Sequence, residues 1–423
     1  MARKKRVAFR VFSGNRLTLP LLLNVWEREG IDRFFDIALL DAEPGSLSPS
    51  QASALRSSDA CAYSFMTPHL PRIAAEIEAL RASGGVRPLL VAGGPHADGD
   101  PALALACGFD VVFSGGGEAA FRRFGLELLR GGLAAGAGCI RSAAEEGGGV
   151  GDGSWQATIP VSRHCRTVPP LEISRGCFWK CRFCQTGNAR PRHRGEGSIA
   201  LYLEETRRRR LQRVGFISPS ALEFGGSRPG EPDLPRLERL LEDCRRSGVR
   251  FIEYGIFPSE IRPDTVSPEA LRLLRRYAAN RRLTFGAQCA SDARLGAVGR
   301  GHTTAAVERA VTLANEAGFV ANLDFLIALP GETEDDRRAL LDFIARVRRG
   351  RRVFIQLHHF FPISGCAFAL CRPSFLGASE RRAFGALKDA GLGSDGWRQG
   401  ERSARAYFSW LRAKFPAFLD RFH

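Results

Sequence analysis

Three cysteines, Cys177, Cys181 and Cys184, stand at C-x3-C-x2-C spacing in the segment Ile173-Ser174-Arg175-Gly176-Cys177-Phe178-Trp179-Lys180-Cys181-Arg182-Phe183-Cys184. Three thiolates this close can bind three irons of a cubane and leave the fourth iron without a protein ligand, open to chemistry. A zinc ribbon would show a second, well-separated C-x2-C pair or a mixed Cys/His set giving four ligands, and no such pair lies downstream. Eleven cysteines in a chain that reads as cytoplasmic argue for metal or catalytic use of some of them over a disulfide framework. Cys61, Cys107, Cys139, Cys165, Cys244 and Cys289 stand alone and read as small buried apolar residues. Cys366 and Cys371, spaced C-x4-C, lack near partners and read as structural, with ligation of an auxiliary cluster as the alternative.

The elements that must position the triplet follow from periodicity. Strand-like runs at 6–12, 36–41, 60–66, 88–92 and 110–114 alternate with amphipathic stretches such as 70–82, where Ile73, Ile77 and Leu80 share a face. This is the pattern of a doubly wound, Rossmann-like α/β domain over residues 1–133. Its last three strands end in Ser64-Phe65-Met66-Thr67, Gly93-Gly94-Pro95-His96 and Gly115-Gly116-Gly117-Glu118. Ligands of such folds sit outside the carboxyl ends of the strands, so a ligand site is expected along that edge. Residues 134–170 read as a linker, Gly-, Ala- and Glu-rich to about 153, with a short hairpin at 155–161.

From 171 the alternation restarts with a longer period. Strand-like runs at 171–174, 213–218, 250–257, 283–289, 322–329 and 353–361 enclose helical stretches at 235–247, 268–280, 304–317 and 334–349. Such repeats predict a partial, TIM-like (β/α)6 barrel over 171–365, with the cysteine triplet directly after its first strand, where barrels carry chemistry. Residues 366–423 read as a helical C-terminal region, aromatic-rich over 404–418.

The net charge of +16 and the runs Arg207–Arg210 and Arg348–Arg352 invite a nucleic-acid reading. Lysine, however, occurs only at 4, 5, 180, 388 and 414, so the charge is an arginine bias spread over solvated helix faces, and no nucleic-acid partner is expected. The longest apolar candidate, 17–25, is broken by Pro20, so no membrane partner is expected either. The basic start, Met1 to Arg6, leads straight into a strand-like run without the pattern of a signal peptide, and the expected location is the cytoplasm.

The triplet with Phe183 before its last cysteine resembles the signature of the radical S-adenosylmethionine (SAM) superfamily. Glu172-Ile173-Ser174-Arg175-Gly176-Cys177 is similar to its cobalamin-binding and methylthiotransferase branches. Gly286-Ala287-Gln288-Cys289-Ala290-Ser291-Asp292, Arg300-Gly301-His302-Thr303 and Asp324-Phe325-Leu326-Ile327-Ala328-Leu329-Pro330-Gly331-Glu332-Thr333 look like segments of the same superfamily, in the same order. With Gly93-Gly94-Pro95-His96-Ala97, the N-terminal domain looks like the cobalamin-binding domain that precedes such barrels. The whole thus resembles the cobalamin-binding-domain branch, a family of unassigned substrate.

The resemblance implies a [4Fe-4S] cluster on Cys177, Cys181 and Cys184, SAM on the open iron, and cobalamin in the first domain. For SAM it implies Phe183 packing beside adenine, Gln288, Ser291 and Asp292 at the ribose hydroxyls, Arg300 at the carboxylate, and Ile327, Leu329 and Pro330 presenting backbone to adenine. For cobalamin it implies Ser64, Phe65, Met66, Gly93, Gly94, Pro95, His96, Gly115, Gly116 and Glu118. The chain departs from the pattern in three places. Ala328 replaces a frequent glycine, Ser218-Pro219-Ser220-Ala221 replaces a Gly-Gly-Glu triplet that holds the SAM amino group, and Ser13-Gly14-Asn15-Arg16 replaces the Asp-x-His-x-x-Gly that supplies a lower histidine ligand. His358 and His359 point to opposite faces of the last strand, so only one faces the barrel interior.

The expected activity is reductive cleavage of SAM to a 5′-deoxyadenosyl radical for cobalamin-dependent methylation of an unactivated carbon, or of phosphorus, in a small molecule or natural product. An electron donor such as flavodoxin or ferredoxin is the implied partner. The alternatives are a non-methylating rearrangement or cyclisation with a vestigial cobalamin domain, RNA methylthiolation, and a non-catalytic cobalamin or redox sensor.

Overall fold

The computed structural model describes residues 3–82, 84, 87–133, 136, 138–141 and 154–423. The chain divides into two compact units, one of residues 1–169 with 363–365 and one of residues 170–362 with 366–423.

Unit 1 is built on six parallel strands: β1 (Lys5–Val11), β2 (Phe35–Asp41), β3 (Ala60–Ser64), β4 (Leu89–Gly93), β5 (Val111–Ser114) and β6 (Gly138–Arg141). Their order is β2-β1-β3-β4-β5-β6, so the winding reverses between β1 and β3. That reversal opens a crevice at the carboxyl ends of the two strands, the usual ligand edge of an open α/β sheet. Asn15, buried, stitches the crevice: its Nδ2 donates to Arg10 O and Ser64 O, both at 2.9 Å, and its Oδ1 accepts from Phe12 N at 3.0 Å. Beneath the sheet Trp26 stacks on Phe35 and Phe121 and donates Nε1–H to Phe121 O. A buried ion pair crosses the other face, where Arg10 Nε lies 2.7 Å from Glu76 Oε1. It survives burial because Leu40 O, Ala42 O, Tyr63 OH and Gly45 N fill the remaining donor and acceptor positions.

Two features of the segment expected as a linker differ from expectation. Gly138–Arg141 adds the sixth strand, pairing with β5. In place of a hairpin at 155–161 there is a single helical turn, Ser154–Ala157. The cause is Asn24, whose side chain donates to Val161 O at 2.8 Å and accepts from Ile159 N at 3.2 Å, taking the backbone groups a hairpin would have paired. Residues 142–153, most of the Gly-, Ala- and Glu-rich stretch, lie outside the described residues.

Unit 2 carries β7 (Leu171–Glu172), β8 (Ser174–Arg175), β9 (Arg192–His193), β10 (Arg213–Ile217), β11 (Phe251–Glu253), β12 (Arg282–Gln288), β13 (Val320–Ile327) and β14 (Val353–His359). Two parallel three-stranded sheets, β11-β10-β7 and β12-β13-β14, are linked by a bridge between Ile261 and Phe285. Six strands therefore follow one another round an incomplete barrel. Helices Leu234–Arg246, Pro268–Tyr277, Thr304–Glu316 and Glu334–Val347 start on side-chain caps, with Asp233, Ser267, Thr303 and Thr333 each accepting from the N–H three residues on. The expected first strand, 171–174, is split: β7 belongs to the barrel, while β8 pairs antiparallel with β9. Gly176 makes the turn that follows, at φ +80, where a Cβ would lie 2.3 Å from Arg190 O. Helices Ala378–Asp389 and Gly396–Lys414 follow β14, with Phe384 and Trp397 in edge contact.

Two strand ends are left-handed without glycine, Gln288 at φ +65 and Ala328 at φ +64. Glu332 holds the second of these by accepting from Ala328 N at 3.1 Å and Leu329 N at 3.2 Å.

Two outcomes follow for stability. Ala328→Gly removes a Cβ from a left-handed position and should stabilise unit 2 by about 0.5–1 kcal/mol, read from its denaturant midpoint; an unchanged or lower midpoint contradicts the strain. His96, buried in unit 1, has its imidazole pushed down from 6.5 to about 4 by burial. Above pH 6.5 it contributes no pH dependence. As pH falls towards 4 the unfolded chain takes up a proton that the folded chain refuses, and stability drops by roughly 3 kcal/mol. His96→Asn should flatten that acid slope, and a slope identical to wild type between pH 6.5 and 4 sinks the assignment.

Candidate metal centre

Residues 177–184 form almost no secondary structure of their own, so their shape is imposed from outside. Cys177 N donates to Ala189 O at 2.9 Å, Arg182 N to Val298 O at 3.0 Å, and Phe368 N to Arg182 O at 2.8 Å. The indole of Trp179 is clamped: Nε1–H donates to Glu223 at 3.1 Å, and the Arg262 guanidinium lies 3.6 Å above the ring. The three sulfurs share one pattern. Cys177 Sγ accepts from the Trp179 backbone N–H, Cys184 Sγ from Thr186 N at 3.4 Å, and Cys181 Sγ from Arg300 Nη1 at 3.6 Å.

These donors favour thiolates, the form that binds metal. Burial pushes the Cys177 thiol up to about 11, and the charges of Glu223, Cys181 and Cys184 reach it and push the same way, so the three sulfurs lie within electrostatic range of one another. Among the described residues no three Cys, His, Asp or Glu side chains converge on one ion. A cubane does not ask for that convergence, since each cysteine takes a different iron, whereas tetrahedral zinc does. The donor set fits a [4Fe-4S] cluster.

The residues expected around SAM fall into three groups. Phe183 packs with Cys289, Leu326, Leu329, Phe360 and Phe368 in one apolar cluster. Gln288 and Arg300 meet around Gly286, whose added Cβ would lie 2.9 Å from Gln288 Nε2 and 2.5 Å from Arg300 Nη2. Ser291 lines a pocket with Arg294, Leu326 and Glu332, and caps the helix Asp292–Ala297 by accepting from Arg294 N. Asp292 is turned elsewhere, accepting from Thr304 N and Oγ1 at 2.7 and 3.0 Å. Ile327 and Leu329 are buried, and the Pro330 carbonyl accepts from Arg294 at 3.0 Å. A second pocket, beside Cys177, is lined by His193, Ser218, Pro219, Ser220 and Glu223, and Ser220 Oγ is buried there without a partner.

A polar cluster inside unit 2 was not anticipated as a unit. Asn322 and Asp324 lie on the β13 face opposite Phe325, which packs on Phe343 of the helix Glu334–Val347. Asn322 Nδ2 donates to Asp324 Oδ1 at 2.9 Å and Thr284 Oγ1 at 3.3 Å. Asn322 Oδ1 is a buried acceptor without a hydrogen bond, while Asp324 Oδ2 pairs with His358 Nε2 at 3.5 Å. Glu260 joins them, its carboxyl pushed up by burial and then by the charge of Asp324, while Asp324 pushes the His358 imidazole up. A charged residue inside the apolar run 320–327 was a usable signal for Asp324. Glu260 sits in a loop and Glu223 ends the short 3-10 turn Ala221–Glu223, with no spacing to mark either. Of the histidine pair, His359 is structural, bonded to Phe360 O and Ser374 O.

In unit 1 the residues expected around cobalamin gather at the carboxyl edge of β3, β4 and β5. Ser64 ends β3 and Met66 accompanies it, while Gly93, Gly94 and Pro95 follow β4, and Gly115, Gly116 and Glu118 follow β5. A Cβ on Gly94 would lie 2.7 Å from Phe65 N, so the first two of these turns touch. Phe65 and His96 are turned inward, stacked on one another at 5.5 Å, with His96 Nδ1 bonded to Thr67 Oγ1 and Ser364 Oγ.

The model of the radical SAM superfamily matches residues 171–344. The ribosomal protein uS12 methylthiotransferase RimO of Heliobacterium modesticaldum is 29% identical over 43% of this chain and 39% of its own length. The heme chaperone HemW of Bacillus subtilis is 27% identical over 37% of this chain and 41% of its own. The chain thus matches about two-fifths of the length of these relatives. Among solved structures, the radical SAM methyltransferase TsrM of Kitasatospora setae, with cobalamin and a [4Fe-4S] cluster bound, superposes with TM-score 0.61 at 16% identity, over 86% of this chain and 77% of TsrM. The cobalamin-dependent SAM radical enzyme OxsB, with aqua-cobalamin and SAM bound, superposes with TM-score 0.54 at 15% identity, over 92% of this chain and 56% of OxsB. At such identities the likeness is one of fold. Residues 171–344 are a radical SAM domain, and the chain carries, over most of its length, the fold of cobalamin-dependent radical SAM enzymes.

Proposed function

We propose that the chain is a cobalamin-dependent radical SAM methylating enzyme acting on an unactivated carbon of a small molecule or natural product. The observation that carries this reading is the cysteine loop at the end of the first barrel strand, in which each of three sulfurs has its own N–H donor. The fold shared with TsrM and OxsB, both described with cobalamin bound, supports the second cofactor.

When bound, the cluster on Cys177, Cys181 and Cys184 supplies one electron that cleaves the sulfonium of SAM to a 5′-deoxyadenosyl radical. Cobalamin, when bound, supplies the methyl group. The chain's own residues orient and shield. Phe183 and Leu329 form an apolar wall for adenine, with backbone at Ile327 and Pro330 beside it, and Gln288 and Ser291 offer polar contacts to the ribose. Ser220 and Glu223, beside Cys177, take the place of the missing Gly-Gly-Glu as acceptors for the SAM ammonium. Asn322, beside the Asp324–His358 pair, faces the substrate, its unpartnered Oδ1 accepting from an N–H or O–H group. In unit 1 the edge from Ser64 to Glu118 holds the corrin. A low-potential donor such as flavodoxin or ferredoxin supplies electrons.

Methylthiolation would call for further cluster cysteines in the first unit. Of Cys61, Cys107 and Cys139 in that unit, Cys61 and Cys107 are buried thiols pushed up by desolvation, an environment for inert thiols, and Cys139 alone is exposed. Among the described residues no helix is long and apolar enough to cross a membrane.

Alanine at Cys177, Cys181 or Cys184 should abolish both the iron–sulfur absorbance of anaerobically reconstituted protein and its dithionite-driven conversion of SAM to 5′-deoxyadenosine. Cys366→Ala and Cys371→Ala should leave both intact. A triplet variant that keeps cluster and turnover refutes the ligand set. For the second cofactor, protein incubated with hydroxocobalamin and gel-filtered should retain the corrinoid spectrum, and the product should gain one CH2. A product of unchanged mass, or one lighter by hydrogen, would instead favour a non-methylating rearrangement or cyclisation.

A further inference from the structure

Arg300 stands where the chain resembles a carboxylate-binding segment, yet the structure commits its guanidinium elsewhere. Nη1 donates to Cys181 Sγ at 3.6 Å, Nη2 to Gly286 O at 2.8 Å, and Nε to His302 Nε2 at 3.2 Å. Room for this fork comes from the absence of a side chain at Gly286, where a Cβ would lie 2.5 Å from Nη2 and 2.8 Å from Glu260 Oε2. The arginine is also tied from behind. Arg262, buried against Trp179 of the cysteine loop, donates to the Arg300 carbonyl at 2.9 Å and pairs with Asp264. The segment 298–300 and the cysteine loop are thus bonded at Val298, at Cys181 and through Arg262. The acids close to this group are Glu260 and Asp264, with Glu223 held by Trp179.

Hydrogen bonds to sulfur and local positive charge set the potential of an iron–sulfur cluster. Reduction of a [4Fe-4S]2+ centre adds one electron and no proton, giving [4Fe-4S]+, so negative charge grows on the sulfurs. A guanidinium N–H on one of them stabilises the reduced form more than the oxidised. We propose that Arg300 is a cluster-tuning residue: through its bond to Cys181 it raises the reduction potential of the centre, over and above any contact it makes with SAM. This inference rests on the cluster assignment made above.

The test uses the full chain, reconstituted anaerobically with iron and sulfide, and follows the reduced-cluster EPR signal during a dithionite titration with mediators, in the absence of SAM. At the wild-type midpoint potential, Arg300→Gln should show a reduced-to-oxidised ratio of about one tenth, which is 59 mV for a one-electron couple. Arg300→Lys keeps the charge and loses the fork, and its ratio should lie between the two. Arg262→Gln, which touches Trp179 and not sulfur, should move the midpoint less. If Arg300→Gln fails to load a cluster, Arg300→Lys decides the matter, and a wild-type midpoint in whichever variant loads overturns the proposal. An unchanged midpoint with weakened SAM retention in equilibrium dialysis assigns Arg300 to the SAM carboxylate alone. Wild-type protein that binds no iron or sulfide defeats the cluster assignment itself, an outcome separate from either.

Discussion

Three thiolates brought into one another's fields repel, and in this chain the repulsion is met sulfur by sulfur. A backbone N–H serves Cys177, another serves Cys184, and the guanidinium of Arg300 serves Cys181. The loop that bears them has no ladder or helix to hold it, so its geometry is borrowed from Ala189, Val298 and Phe368, which lie on segments far apart in sequence. A site assembled this way needs its supporting segments fixed first. That requirement explains why the barrel's cap residues and strand ends are specified so closely around an otherwise irregular loop.

The same logic accounts for the two left-handed residues at the ends of β12 and β13. A Cβ in that conformation costs free energy, and glycine would avoid the cost. At Ala328 the surrounding bonds over-determine the turn: Glu332 accepts from Ala328 N and Leu329 N, and Arg337 pairs with Glu332 at 3.1 Å. The residues so placed, Gln288 and Ala328, border Arg300 and the apolar wall around Leu329. Two of the three left-handed non-glycine residues among those described therefore lie where the chain turns from scaffold to site, the third being Arg210 beyond the helix Glu196–Arg208.

The elements of the fold were legible because their signals are local and repeated. Period-2 and period-3.6 patterns mark strands such as β1, β12 and β13 and helices such as Leu70–Ala82. The cysteine triplet was legible because its meaning lies in spacing alone. What escaped was whatever depends on a partner distant in sequence. The turn at Ser154–Ala157 replaces a hairpin because Asn24, more than a hundred residues earlier, takes its hydrogen bonds. Ser291 and Asp292 read as ribose acceptors from their place at a strand end, but a helix cap and a bond to Thr304 already use part of their capacity, and neither is visible in a linear motif. Glu260 is one acid among 45 until the bridge from Ile261 to Phe285 brings its loop against Asp324.

That last meeting bears on what the enzyme recognises. Barrel interiors are ordinarily filled with branched apolar side chains, and an unpartnered buried acceptor costs about 1–3 kcal/mol. Here Thr284, Asn322 and Asp324 occupy such positions, with the Glu260 loop against them, and Asn322 Oδ1 has no donor. An apolar replacement would relieve the cost if stability were the only demand, since isosteric removal of buried charge is often neutral or favourable. The arrangement makes sense if the missing donor arrives with a ligand. Under the proposed function this is an N–H or O–H group of the substrate, drawn in because it satisfies an oxygen the fold leaves open. His358, half-exposed and held towards its cationic form by Asp324, offsets part of the negative charge of this acidic face.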